Sequence, residues 1–218
     1  MNNQRIFVFD LDHTLVRANL SFGFGKFLFK KGYMPFSNML KTLIAYALHK
    51  GAGFPLEWLH DQVLRHFLSR LPKSRIAHLA QEYLDRDLES LYHPKVLEEL
   101  IQAKKEGFKL ALCSSSPDFI VGEVAARMQI SYWCASCYLT DEKGYLSEID
   151  PVVDGRFKAE YLKKLMMKYD LPKEAVTVYS DSVLDLPLFE VSGQRVAVNP
   201  DRKLRKFMNQ SNWREISQ

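Results

Sequence analysis

Cysteine is scarce, at three residues in a chain of 218. A small, odd number excludes the disulfide framework of a compact secreted domain and fits a reducing compartment. Long apolar runs are also missing. Nothing approaches the roughly 18 residues of a membrane span, and the longest stretch in the most apolar region, 43–48, is flanked by Lys41 and His49. The opening MNNQRIFVFD has neither the basic start, the apolar stretch nor the small-residue cleavage site of a secretory signal, so a cytoplasmic location is expected. There is no internal repeat and no low-complexity linker. With only 10 glycines and 9 prolines, collagen-like and disordered classes are excluded as well.

What is present is the composition of an ordinary globular protein, 47% hydrophobic and 26% charged. At roughly 150 residues per domain, the length implies one core plus a sizeable insertion. A chain of this size buries roughly 70% of the surface it exposes when unfolded, enough to stand without a structural metal.

Short all-apolar runs recur at 6–9, 110–113, 176–179 and 196–198, as expected of strands buried on both faces. Between them, 96–106, 118–128 and 158–169 carry helical spacing, the first closed by Gly107 and the last followed by Pro172. This alternation predicts βαβ units, a doubly wound, mostly parallel sheet of α/β class. The interval 15–91 interrupts it with helical spacing throughout. Breaks at 32–35, 51–55 and 71–72 divide it into four helices, so the expected division is an α/β core of residues 1–15 and 92–218 with an all-helical cap of residues 16–91. Between 17 and 85 the insertion holds ten basic and four acidic residues. A positive lobe of this kind either draws in anionic ligands or is a set of solvated helix faces.

Ligands of open α/β sheets bind beyond the carboxyl ends of the strands. Here the first strand runs into Asp10, Asp12, His13 and Thr14, another into Ser114, Ser115, Ser116 and Pro117, and a later one into Ser180, Asp181, Ser182 and Asp185. Four carboxylates and a hydroxyl therefore gather on one rim. Two carboxylates about 4 Å apart repel by roughly 4 kcal/mol at an effective dielectric of about 20. A divalent cation resolves that conflict, and an all-oxygen ligand set without a histidine or cysteine cluster favours Mg²⁺, which shares its shell with water and phosphate.

The sequence resembles the haloacid-dehalogenase-like (HAD) superfamily, specifically its phosphoserine-phosphatase-like branch. The resemblance is carried in order by DLDHTL at 10–15, Ser114, Lys158 opening a helix, YSDSVLDLP at 179–187, and the tail 196–201 followed by a basic helix. It implies a Rossmann-like core with a helical cap and an aspartyl-phosphate mechanism. Asp10 is then the nucleophile and Asp12 the general acid and base, a residue that dehalogenases and phosphate-transferring ion pumps lack. Ser114 binds a phosphoryl oxygen and Lys158 neutralises charge in the transition state. Asp181 ligates Mg²⁺ with the Asp10 carboxylate and the Asp12 carbonyl, and Asp185, placed one helical turn beyond Asp181, ligates directly or through water. Ser180 and Ser182 support the loop. Cap hinges fall near 15–17 and 88–94.

Phosphoserine phosphatases of this branch place an acid early in the cap. Here 16–24 contains none, Asn19 stands in its place, and Ser115-Ser116 replaces the expected glycine pair. Arg17, Asn19 and Ser115 are the expected substrate-binding residues. The expected substrate is a small or amphiphilic organic phosphate, with no nucleic acid expected as a partner and no transmembrane segment. Phosphoserine phosphatase proper and a phosphotransferase or mutase remain alternatives, and an aspartate-phosphorylated signalling module is the reading of another class. Cys134 and Cys137 are expected to be structural within a strand over 132–139, and Phe22, Phe24, Phe27 and Phe29 to be packing residues of the cap.

Overall fold

The computed structural model describes residues 4–208 and 213–217. Residues 1–3, 209–212 and 218, all assigned above to the core, lie outside the described residues. The chain begins with strand β1 (Ile6–Phe9), followed by helices α1 (Leu20–Lys30), α2 (Phe36–Ala52), α3 (Leu56–His66), α4 (Lys73–Leu91) and α5 (Pro94–Lys105). Next come β2 (Lys109–Pro117), α6 (Asp118–Met128), β3 (Tyr132–Ser136), β4 (Tyr138–Thr140) and β5 (Leu146–Ile149). The remainder is α7 (Gly155–Tyr169), β6 (Val176–Ser180), α8 (Leu186–Glu190), β7 (Gln194–Val198), α9 (Arg202–Phe207) and β8 (Trp213–Ile216).

Six strands form one sheet in the order β3-β2-β1-β6-β7-β8, every neighbouring pair parallel. The chain winds outward from β1 through β2 to β3, then returns to β6 on the other side of β1. That reversal makes the carboxyl ends of β1 and β6 the topological switch point, where a doubly wound sheet leaves a crevice.

Alternation along each strand sorts side chains between two cores. Phe9, Leu110, Leu112 and Tyr179 pack on one side with α5 and α6, whereas Ile6, Val8, Ala111, Cys113, Val176 and Val178 face α7, α8 and α9. The first of these cores extends without a break into the four-helix segment through Leu11, Leu15, Leu20, Phe24, Phe27 and Leu84.

The helices of this segment begin and end where local chemistry directs. Asn19 caps α1 by accepting the Phe22 N–H, Pro35 and Pro72 precede α2 and α4, and Gly53 ends α2 at φ 74°, a left-handed conformation in which it has no Cβ to clash.

Two expectations need correction. The run 132–139 is not one strand: β3 belongs to the large sheet, and β4 pairs antiparallel with β5 in a separate hairpin. Asp141 builds the hairpin turn by accepting the N–H groups of Lys143 and Tyr145. Cys134 lies beside Cys113 in the parallel register, both buried, and Cys137 sits in the crossing between the two sheets. Phe24 and Phe27 are buried as expected, but Phe22 is 39% exposed.

The hairpin also ties the sheet to the helices. The Lys73 N–H donates to the Gly144 carbonyl, and its ammonium donates to Asp118 and to the Tyr138 carbonyl at 2.6 and 2.7 Å. His60 of α3 shares a hydrogen bond of 2.7 Å with the Tyr138 hydroxyl.

Candidate active site

At the end of β1 the Asp10 N–H donates to the Tyr179 carbonyl of β6, which holds the loop over the switch point. The chain then coils tightly, with Leu15 N–H on the Asp10 carbonyl and Val16 N–H on the Leu11 carbonyl, and His13 at φ 60°. This turn sends two carboxylates from neighbouring positions into different surroundings.

Asp10 is 7% exposed, and its Oδ1 accepts from the Lys158 ammonium at 2.7 Å. Lys158 reaches Asp185 as well, at 3.0 Å, so one buried cation bridges two carboxylates. Its placement follows from the start of α7. Asp154 caps the helix through the Phe157 N–H, and Gly155 packs so closely on the 184–185 backbone that a Cβ there would lie 1.9 Å from the Leu184 oxygen. Only glycine allows that approach, and three residues later the ammonium enters the centre.

Asp12 is held differently. The Leu20 N–H, in the first turn of α1, donates to Oδ1 at 2.6 Å, and the Ser116 hydroxyl donates to Oδ2 at 2.6 Å. Ser21 shares a further hydrogen bond of 2.6 Å with Ser116. Sequence reasoning assigns Ser21 no role and marks Ser116 only as a departure from the expected glycine pair. The available signal was Asn19, whose capping role leaves the first N–H groups of α1 in search of an acceptor.

Strand β2 continues past Cys113 to Pro117, beyond the end at Ser114 read from the apolar run, with a register shift against β3. The buried Ser114 Oγ accepts the Ser116 N–H at 3.0 Å, and the Ser115 carbonyl accepts the Ser136 hydroxyl.

Asp181 receives the Thr14 hydroxyl at 3.4 Å. The loop after it is organised by Asp201, another residue the sequence reading left without a role. The Asp201 N–H donates to the Asp181 carbonyl, Oδ2 accepts the Val183 N–H, and Oδ1 caps α9 through Lys203 and Leu204. The expected helical turn between Asp181 and Asp185 is absent. Asp181 precedes a 3₁₀ turn at Val183–Asp185, and Asp185 is the N-cap residue just before α8. Its carboxylate turns inward to Lys158 and to the Ser180 hydroxyl at 2.6 Å.

Asn19 and Arg17 lie outside this centre. Arg17 donates to the Ser90 carbonyl at 2.8 Å, and both residues border a cavity of about 560 Å³ between α1, α2 and α4.

Electrostatics sharpen the division. Burial raises Asp10 well above the usual carboxylate range against the attraction of Lys158, and repulsion from Asp185 and Asp181 adds to it. Burial raises Asp12 too, opposed by its hydrogen bonds from Ser116 and Leu20, and burial pushes Asp181 to about 6. Burial disfavours the charged form of Lys158, yet Asp10 and Asp185 together hold it well above the normal lysine value. One cation therefore faces four acidic side chains. Among the described residues, no three histidine, cysteine or carboxylate side chains are gathered as a cage that could hold a metal ion. The donor set suits a cation that takes one or two carboxylates and keeps its waters, which is the habit of Mg²⁺.

The sequence profile of the haloacid dehalogenase-like hydrolases matches residues 7–190. The chain belongs to that family. This haloacid dehalogenase-like hydrolase is similar to a probable phosphatase of Mycobacterium tuberculosis, at 28% identity over 215 residues that cover 96% of this chain and 74% of the relative. Its fold is similar to that of a Bordetella pertussis protein of unknown function, with a TM-score of 0.86 at 20% identity and 98% of each chain covered. It is also similar to a phosphoserine phosphatase solved as an analogue of the phospho-aspartyl intermediate, with a TM-score of 0.64 at 15% identity over 93% of this chain and 90% of that one. The expected α/β class and the resemblance to the phosphoserine-phosphatase-like branch are both borne out. Among the described residues, no helix of the hydrolase is long and apolar enough to cross a membrane.

Proposed function

We propose that this hydrolase is a Mg²⁺-dependent phosphomonoesterase working through an aspartyl-phosphate on Asp10, with residues 16–91 as a cap over the strand ends. The observation that carries the reading is the different treatment of two carboxylates on one loop. Asp10 is bound on one oxygen by Lys158, while Asp12 is held by Leu20 and Ser116. Environments that separate two acids assign them separate roles.

The Asp10 carboxylate attacks phosphorus, and the ester oxygen leaves with the proton of the Asp12 carboxyl group. Asp12, now ionised, takes a proton from the water that attacks the aspartyl-phosphate, which releases inorganic phosphate and regenerates both acids in their starting states. Lys158 offsets charge on Asp10 and the phosphoryl group. Ser114, whose oxygen already accepts the Ser116 N–H, retains its hydroxyl proton for a phosphoryl oxygen. The carboxylates of Asp10 and Asp181 and the Asp12 carbonyl would hold Mg²⁺, which when bound would supply the charge neutralisation that lets an anionic ester approach an anionic nucleophile. Asp185, engaged by Lys158 and Ser180, would support that shell.

The substrate class we favour is a small or amphiphilic organic phosphate, because the cavity beside the site is walled by aromatic and basic side chains and Asn19 supplies no acid for an amine. The test is a Mg²⁺-dependent screen of phosphomonoesters that reads free phosphate. Release that EDTA abolishes and Mg²⁺ restores supports the reading. Transfer without free phosphate points to a phosphotransferase or mutase, and no turnover of any ester overturns the proposal.

A further inference from the structure

We infer that the cleft between α1 and α4 is a second anion-binding site, and that the substrate is a phosphomonoester whose far end carries another anionic group, a phosphate or a carboxylate. This rests on the phosphatase reading above and extends it to the part of the substrate that does not react.

The cleft holds about 560 Å³, within the ~300–1,000 Å³ typical of small-molecule sites. Its near end is formed by His13, Arg17 and Asn19, on the loop and helix start that hold Asp12. Its far end is formed by Lys26, Lys30 and Arg86, and Phe22, Phe27, Tyr46 and Tyr83 supply apolar walls. Phe22, Lys26 and Lys30 follow one another at four-residue intervals and so share a face of α1. At 1.5 Å per residue the backbones of Lys26 and Lys30 stand about 9 and 15 Å along the helix from Leu20.

Positive charge in this cleft is only partly compensated. Asp87 is the acid among the lining residues, and Arg86 occupies it with two bonds of 2.7 Å. Among the described residues, neither Lys26 nor Lys30 has a carboxylate at ion-pair distance. Lys31, the next residue along, is paired with Glu82. Like charges four apart on a helix repel, and Asp87, already engaged by Arg86, attracts Lys30 without forming an ion pair with it and so offsets only part of that cost. Lys26 instead lies over the Phe22 ring, and the Arg86 guanidinium over Phe27, so both cations are positioned beside apolar surface. A ligand with a carbon spacer and a terminal anion matches this order: walls first, cations last.

The test uses alkane α,ω-bisphosphates and phosphono-free ω-phospho-carboxylates against ω-hydroxyalkyl monophosphates of equal length, with Mg²⁺. The expected result is a tenfold or greater preference in kcat/KM for the doubly anionic member, expressed mainly in KM. The double variant Lys26→Gln/Lys30→Gln should bring that ratio close to one, while Lys31→Gln keeps it. Bisphosphate against phospho-carboxylate identifies the distal group. Hydrolysis of all these esters without preference, or a preference that survives the double variant, overturns the inference and leaves the phosphatase reading standing. If no ester is hydrolysed, the phosphatase reading fails, and calorimetric binding of the bisphosphate to the EDTA-treated wild-type chain still decides the site. Binding weakened at least tenfold by the double variant supports the cleft as an anion site, and equal binding by both proteins rejects it.

Discussion

At the strand ends and in the cleft between α1 and α4 the protein treats charge in opposite ways. Asp10, Lys158 and Asp185 are almost wholly buried, and each has a partner at 3.0 Å or less. Further along α1, Lys26 and Lys30 stand exposed and, among the described residues, without a carboxylate at ion-pair distance. A buried charge is tolerated only when matched, so the strand-end groups are fixed by one another before any ligand arrives. Exposed cations cost little and can wait for a ligand. On the proposed reading, the comparison separates a preorganised reaction centre from a recognition surface completed by what it binds.

The sharpest way to break that comparison is at Asp10. Asp10→Asn keeps the shape and the Lys158 contact but removes the nucleophile, so turnover should fall by at least about a thousandfold with an unchanged circular dichroism spectrum. Retained turnover would move the reaction elsewhere. Next in size, Lys158→Gln leaves Asp10 and Asp185 buried without their cation, and urea unfolding should show a loss of about 3 kcal/mol. A loss below about 1 kcal/mol would show that the centre is not held by matched charge.

A third effect tests the attachment of the helices to the hairpin. Burial lowers His60 to about 4, below its unfolded value of 6.5. A depressed histidine contributes stability that is fully present above pH 6.5 and is lost as the pH falls toward 4. Between pH 6.5 and 5 the loss should be on the order of 2 kcal/mol, and His60→Gln should flatten that slope in a melting series. An unchanged slope would mean that the ring does not titrate inside the fold. The smallest effect belongs to Ser116→Ala, which removes one of two donors to Asp12. We expect kcat to fall about tenfold with little change in KM or stability, and a change confined to KM would assign Ser116 to substrate binding instead.

Much of the strand-end chemistry was legible in the sequence because a continuously apolar strand followed by a carboxylate is an unusual pairing. The runs ending at Asp10 and Ser180 announced both the parallel sheet and the rim, and 118–128 matches α6 residue for residue. What the sequence concealed depends on packing between distant segments. Ser116 and Ser21 are 95 residues apart and ordinary in type, so their meeting at Asp12 follows only from α1 lying across the end of β2. Asp185 looked like one more helical carboxylate, yet the 3₁₀ turn directs it to Lys158. The β4–β5 hairpin was hidden because Tyr138 continues the apolar run of β3 across Cys137. Phe22 shares the spacing of its aromatic neighbours and differs only in the side of α1 that it occupies.

The central claim is that Asp10 carries the phosphoryl group. It is tested most directly by incubating the Asp12→Asn chain briefly with a hydrolysable ester and Mg²⁺, quenching in acid and weighing the intact protein and its peptides. The account predicts a mass gain of one phosphoryl group on the peptide containing Asp10. An adduct on any other residue, or phosphate release at the wild-type rate with no adduct, would contradict it.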